Sequence, residues 1–287
     1  MTPKNLLSLL ALSCIIGLGG CADKKITTVP MPTNIVKQKV AEIDFETTKR
    51  LAEQGDAKAQ YLLGKMYFEG YKVRQSYALA DKWYQKAAEQ NNSDAQYAIG
   101  SSFLNGDGVR ADYEKAMEWF QKSALLGNSS AQTAIGNLYL KGKGVKVDYF
   151  EAMQWFQKAE RQGNSDAQTA IGSMYFNGHG NRQDYSKAME WYQKAARQDN
   201  PDAQAAIGSM YLQGEGVEKN YARAIDWNQK AARQGNVKAQ YILGLTYEYS
   251  YGISPDRTVA KEWYGKACDN GHPEACRKYA RLNSLLK

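Results

Sequence analysis

The sequence predicts an all-α protein, six helix–turn–helix units of 36 residues stacked into one elongated domain with a partial capping helix at each end. Three observations carry this. The dipeptide Ala-Gln recurs at Ala59-Gln60, Ala95-Gln96, Ala131-Gln132, Ala167-Gln168, Ala203-Gln204 and Ala239-Gln240. All six tryptophans keep the same 36-residue period: Trp83, Trp119, Trp155, Trp191, Trp227 and Trp263. A glycine inside an apolar helical pattern recurs at Gly64, Gly100, Gly136, Gly172, Gly208 and Gly244. Self-similarity at one fixed period is the signature of a repeat array.

Residues 1–20 stand apart. They hold one lysine, an apolar run at 6–18 and then small residues. The run is short for a membrane span and reads as a signal peptide. Residues 21–38 contain Pro30 and Pro32 and no helical stripe, and read as a tether. Its maximum reach is roughly 50 Å at about 3.3 Å per residue. Residues 39–54 form an N-terminal cap whose 43–54 segment is a lone second helix, with Thr47 in the tryptophan column. The six units follow over 55–270.

The fourth unit illustrates the pattern. Its first helix is expected over 166–177, with Asp166 or Ser165 as N-cap. Ala167, Ile171, Gly172 and Tyr175 form its inward face. Gly178-His179-Gly180 stops it, since glycine tolerates positive φ. The second helix is expected over 184–197, with Ala188, Trp191, Tyr192, Ala195 and Ala196 on one stripe. A glycine inside a helix costs about 1 kcal/mol relative to alanine. Six such glycines imply close helix–helix contact, with the aromatic columns as core around them. Residues 271–287 form the C-terminal cap, a lone first helix over 273–286. There Ala280 replaces the glycine and Asn283 the tyrosine, as expected where nothing stacks beyond.

The recurring columns A-x-A-Q-x-x-(I/L)-G-x-x-Y-x-x-G-x-G-V-x-x-D-Y-x-x-A-x-x-W-Y-x-K-A-A-x-Q-G-N resemble the Sel1-like repeat, a relative of the tetratricopeptide repeat. The resemblance implies an α-solenoid that binds other proteins. Two loops depart from it. Lys72 stands where the later units have Gly108, Gly144, Gly180 and Gly216, and Ser250 stands in the column of Gly70 and Gly106. These two loops are expected to differ in shape.

The ending Leu18-Gly19-Gly20-Cys21 resembles a bacterial lipobox. That implies cleavage before Cys21 and lipidation of Cys21, a stable anchor when several acyl chains are attached. Aspartate stands at Asp23 rather than directly after the cysteine, which by the same resemblance leans to the outer membrane. Cys268 and Cys276 remain in the mature chain. Their C-x7-C spacing matches a cysteine-rich branch of Sel1-like proteins, where such pairs are disulfides stapling successive helices, and an oxidising compartment favours the bond. The alternative is a reduced, buried pair.

Catalytic signals are weak. The paired glycines lack the third glycine of a dinucleotide loop and follow a helix. No G-x-S-x-G occurs, and the one S-x-x-K is Ser284–Lys287. His179 and His272 fall in separate turns and are read as exposed. No catalytic, cofactor-binding or metal-ligating residue is assigned. The formal net charge is +7, or +6 once Lys4 leaves with the signal peptide. An envelope compartment argues against nucleic acid as partner. Apart from the cluster Lys141, Lys143 and Lys146 the cations read as solvated surface, and membrane contact is expected through the N-terminal lipid only.

In helical solenoids the first helix of each unit lines the concave face. Three columns there vary while core columns repeat. The first reads Tyr61, Tyr97, Thr133, Thr169, Ala205, Tyr241. The second reads Lys65, Ser101, Asn137, Ser173, Ser209, Leu245. The third reads Glu69, Asn105, Lys141, Asn177, Gln213, Tyr249. They are the candidate partner-binding face, with tyrosines suited to interface hot spots at its ends. The expected function is a non-enzymatic, envelope-anchored binding protein. Its most specific form is an immunity protein occluding a toxin delivered to the periplasm, such as a secreted phospholipase. A scaffold for an envelope machine or polysaccharide exporter is the alternative. A hydrolase acting on cell wall or β-lactams is the remote one.

Overall fold

The structure is a computed structural model and describes residues 44–285. The signal peptide, Cys21, the tether and the first residues of the N-terminal cap lie outside the described residues. Among the described residues the chain forms 14 α-helices and no strand. Helix α1 (Phe45–Glu53) is the lone N-terminal cap. Six hairpins follow: α2 (Ala57–Glu69) with α3 (Tyr77–Glu89), α4 (Ser93–Asn105) with α5 (Tyr113–Leu125), and α6 (Ser129–Lys141) with α7 (Tyr149–Glu160). Then come α8 (Ser165–Asn177) with α9 (Tyr185–Ala196), α10 (Pro201–Gln213) with α11 (Tyr221–Arg233), and α12 (Val237–Tyr249) with α13 (Arg257–Asp269). Helix α14 (Pro273–Leu285) closes the array. Each helix packs on the next in sequence, and first helices of neighbouring repeats also approach each other, α6 with α8 and α10 with α12. The molecule is thus an all-α solenoid.

Within a hairpin the recurrent glycine meets a ring of the second helix. A Cβ on Gly172 would lie 2.8 Å from the Tyr192 ring, and one on Gly100 2.7 Å from Phe120. The facing column, one residue after the tryptophans, is a ring in five repeats, Tyr84, Phe120, Phe156, Tyr192 and Tyr264, and Asn228 in the fifth. Tryptophan itself is half-buried in five repeats, and buried only at Trp263. Each of Trp83, Trp119, Trp155, Trp191 and Trp227 packs on a cluster shared between its own first helix and the helix before it, which for Trp83 is the capping helix α1. A lysine three residues on covers each indole, at 3.9 Å for Lys158 over Trp155. The tryptophan column is therefore a seam between repeats rather than the centre of one. Met174 and Gln168, absent from the sequence-based core of unit four, are fully buried there.

The Ala-Gln glutamine is a clamp. Gln60 Nε2 donates to the Ala52 carbonyl of the preceding helix (3.1 Å), while Gln90 Nε2 donates to Gln60 Oε1 (2.8 Å). Gln162, Gln198, Gln234 and Asn270 serve the later repeats in the same way. Repeat two breaks the pattern. Leu126 occupies the donor column, and Gln96 Oε1 is buried without a protein partner.

Helix α8 starts at Ser165 and its N-cap is Asn164, not Asp166 or Ser165; Asn164 accepts from the Ala167 N–H. The reason lies between repeats. The same Asn164 side chain also accepts from Thr133 Oγ1 and donates to Ser129 Oγ, so the cap ties α8 to α6. The two exceptional loops keep the shape of the others. Lys72 sits at φ 59° where Gly108 sits at 74°, and Ser250 at φ 63° where Gly70 sits at 68°. Closing the hairpin requires these left-handed residues whatever the side chain. In later repeats a Cβ at the Lys72 position would also strike the start of the preceding second helix, 2.3 Å from Tyr77 Cβ at Gly108. The first repeat has no preceding repeat, so that second constraint is missing there.

The ends are capped as expected. Ala280, in the glycine column of α14, is exposed. Glu248 holds a column that reads Phe68, Leu104, Leu140, Phe176, Leu212 in the other repeats. Its carboxylate accepts from Tyr264 Oη (2.8 Å) and pairs with Lys278 and Arg281 of α14. The apolar seam is thereby closed by ions at its last interface.

Two substitutions test the glycine–ring contact. Gly172→Ala should destabilise by up to about 2 kcal/mol net, the overpacking cost of about 1–3 set against the helix-propensity gain of about 1. Asn228→Tyr should stabilise by about 2 kcal/mol, because Asn228 is buried with Oδ1 unsatisfied in a ring column. Urea midpoints by circular dichroism report both, and equal shifts in one direction would refute the account.

Candidate functional site

The first helices of repeats two to five enclose an open groove of about 690 Å³. It gathers Tyr97, Asn105, Thr133, Asn137, Lys141, Thr169 and Ser173 from the candidate face. It also includes residues outside the three columns: Lys143, Asp166 and Asp202, with Leu104, Leu138 and Leu140 contributing apolar wall. Tyr61, Lys65, Glu69, Ser101, Asn177, Ser209, Gln213, Tyr241 and Tyr249 do not line it. Asp166 and Asp202 start the first helices on one side, and Lys141 ends its helix on the other. The carboxylates are oriented by the next repeat's caps: Asn200 Nδ2 donates to Asp166 (2.7 Å) and Asn236 Nδ2 to Asp202 (2.6 Å). The column Lys58, Asp94, Ser130, Asp166, Asp202, Lys238 held this signal in the sequence.

The three columns differ in what they do. The first is largely internal. Thr133 and Ala205 are buried, which corrects their reading as exposed groove residues. Thr133 and Thr169 hydroxyls donate to the Ser129 and Ser165 carbonyls and to the cap asparagine of the next repeat. Tyr61, Tyr97 and Tyr241 are half-buried against Tyr84, Phe120 and Tyr264, with ring centroids 5.6–5.9 Å apart. In the second column Lys65 is exposed and pairs with Glu69 (3.7 Å), while Ser101, Asn137, Ser173 and Ser209 are half-buried. Burial pushes the Tyr192 phenol up to about 12, a hydrogen bond to Ser173 acting in the opposite direction. The third column, Glu69, Asn105, Lys141, Asn177, Gln213 and Tyr249, is exposed throughout.

Neither histidine is a free turn residue. His179 stacks on Tyr149 at 4.7 Å between centroids. His272 stacks on Tyr241 at 4.2 Å, and its Nδ1 accepts from the Ala275 N–H, replacing the asparagine cap of the other repeats. Both are half-buried because each turn lies against a neighbouring repeat. Among the described residues no group of histidine, cysteine or acidic side chains is arranged to hold a metal ion. Cys268 and Cys276 are bonded to each other, joining the end of α13 to the start of α14.

An array of stacked helical hairpins with an open, preformed inner groove defines a solenoid of the protein-interaction class. A family model for the Sel1 repeat matches six consecutive windows, 57–92, 93–128, 129–164, 165–200, 201–236 and 237–272, and the chain belongs to the Sel1 repeat family. No curated protein matches it. Among solved structures it is similar to a protective antigen of uropathogenic Escherichia coli strains, at 37% identity and TM-score 0.62. That match covers 84% of this chain and 51% of the antigen, so the chain spans about half the antigen's length. A Sel1 repeat protein of Oxalobacter formigenes matches at 33% identity and TM-score 0.68, over 79% of this chain and 100% of that one. An immunity protein of Pseudomonas aeruginosa shares the fold at 21% identity and TM-score 0.56, over 74% of this chain and 81% of that one.

The closed loop between Cys268 and Cys276 should stabilise the C-terminal cap by roughly 2–3 kcal/mol. Alkylation of the denatured, non-reduced mature protein should leave both thiols unmodified by intact mass, and reduction should lower the melting temperature. A singly alkylated species would contradict the pairing.

Proposed function

We propose that the chain is a non-enzymatic binding protein of the bacterial envelope, anchored through a lipidated Cys21, facing the periplasm and acting by occlusion. Its most specific form is an immunity protein that covers the active site of a toxin delivered into the periplasm, such as a secreted phospholipase. The observation that carries this reading is the inner groove, built from rigid helices and lined by small polar side chains with charges of opposite sign at its two sides. A preformed surface binds without a large ordering cost. The immunity protein of Pseudomonas aeruginosa supports the reading as a neighbour in fold. Anchoring at the outer membrane would hold the groove where an invading lipase must act.

Asn137 and Ser173 are the residues to change. Tyr97 is less suitable, because its ring packs on Phe120. Cells lacking the protein should be sensitised to a toxin-delivering neighbour. The wild-type gene should restore protection, and Asn137→Arg with Ser173→Arg should not, at unchanged helicity by circular dichroism. Full protection by the double variant would move binding off the groove. Deletion without sensitisation, with cross-linking to envelope-assembly proteins, would replace immunity by the scaffold role.

A further inference from the structure

The loops joining first to second helices form one edge of the solenoid. They overlap in sequence: Gly108 lies against Tyr77, Gly144 against Tyr113 and Gly180 against Tyr149, each at the start of the preceding second helix. The edge is therefore continuous. In repeats one to three it exposes Tyr71, Tyr77, Leu79, Tyr113, Val147 and Phe150. Phe150 is 72% exposed and Val147 52%. The equivalents of Phe150 are Ala78, Glu114, Ser186, Ala222 and Thr258, so nothing in the repeat requires an aromatic there.

Cations accompany these side chains. The loop-tip column reads Arg74, Arg110, Lys146, Arg182, then reverses at Glu218. Lys143 adds a further charge in repeat three, resting over the Tyr113 ring at 5.0 Å. All five cations are exposed. Carboxylates are present too, but Asp112 and Asp148 are N-caps turned to the backbone N–H groups of α5 and α7. Asp107 accepts from the Asn105 amide, and Glu114 and Glu151 sit on the helices behind the loops.

We propose that this edge docks on an anionic phospholipid surface, a contact separate from the N-terminal lipid and adjoining the groove only at Lys143. Exposed apolar side chains rimmed by Lys and Arg are the chemistry that inserts at a headgroup boundary and is attracted to its negative charge. The observations favour a bilayer over a protein partner. Its most exposed apolar side chains, Phe150 and Val147, stand outside the open hollow of about 750 Å³ that this edge holds beside Phe103, Arg110 and Tyr113, and its cations stand at the tips. Most of its exposed apolar side chains gather in the N-terminal repeats, with Tyr249 exposed further on, which places the bulk of the edge at the end from which the chain leads back to residues 1–43. Docking there would lay the solenoid along the membrane instead of letting it swing on its tether.

The test uses the chain from residue 22 onward, which lacks the apolar run and Cys21. It retains both capping helices and every packing contact described above, and so folds without them. Sedimentation with phosphatidylcholine vesicles containing about one-third phosphatidylglycerol should capture the protein, and pure phosphatidylcholine should not. Val147→Asp with Phe150→Asp, and separately Arg110→Glu with Lys146→Glu, should each lower the partition coefficient roughly tenfold or more. Leu125→Asp with Leu126→Asp, on the opposite edge, should bind as wild type. No capture by the anionic vesicles would overturn the proposal. So would undiminished binding of the Val147/Phe150 variant, or equal loss in the Leu125/Leu126 variant.

Discussion

The contact on which the structure depends is a glycine of one helix under an aromatic ring of the next. At Gly136 a Cβ would lie 2.5 Å from the Phe156 ring, and at Gly244 2.5 Å from Tyr264. The ring lies on the first helix's own backbone, which fixes how close the two helices of a hairpin come. Every repeat then has the same thickness, and the remaining columns can keep one set of residues. The alanines follow from the same spacing: Ala188 and Ala195 of α9, like Ala167 of α8, are fully buried where a larger residue would push the helices apart. The caps confirm the logic from the other side. Among the described residues no helix packs beyond α14, and there Ala280 stands exposed in the glycine column.

Stacking of one hairpin on the next uses different chemistry. It combines a half-buried tryptophan, the buried glutamine clamp and the asparagine cap whose amide reaches back to the preceding first helix. A buried amide with both ends satisfied positions its neighbours more narrowly than an apolar contact does, and an unsatisfied one costs about 1–3 kcal/mol. Repeat two lacks the clamp donor, and in the same place shows Leu125 at 85% exposure. The last interface departs further, with Glu248 bonded to Tyr264 and paired with two cations of α14. An ion cluster there matches only the helix that carries both cations.

Much of this was legible in the sequence because repetition turns one chain into six parallel readings. The helices, their order, the caps and the glycine contact follow from column identity. What escaped was information that no column carries. The loops at Lys72 and Ser250 kept their shape because hairpin closure sets the backbone, and an ordinary side chain tolerates φ near +60° at modest cost. The N-cap of α8 was misplaced by one or two residues because Asn164 also serves a bond to the neighbouring repeat, which a local rule cannot see. The groove face was read from a column's variability, which does not distinguish a solvent-facing threonine from Thr133, buried under the next repeat's cap. Asp202 and Lys143 were left out of the site for the converse reason. They lie at the ends of the helical stripe, and only the curvature of the stack brings them to the groove.

The placement of charge in that groove follows from the fold itself. First helices run parallel, so their N-termini share one side and their C-termini the other. Aspartate at the start of a helix and lysine at its end each complement the helix dipole. Asp166, Asp202 and Lys141 therefore stabilise their own helices while giving the groove an acidic side and a basic side. Between them lie Asn137 and Ser173, which are small, neutral and half-buried. Rim charges contribute more to orientation and encounter rate than to affinity. The groove thus has a built-in direction across it, fixed by helix polarity and independent of which residues later vary in its floor. A partner with one basic and one acidic flank would meet it in one orientation, and its hold would then depend on contacts made along the half-buried middle.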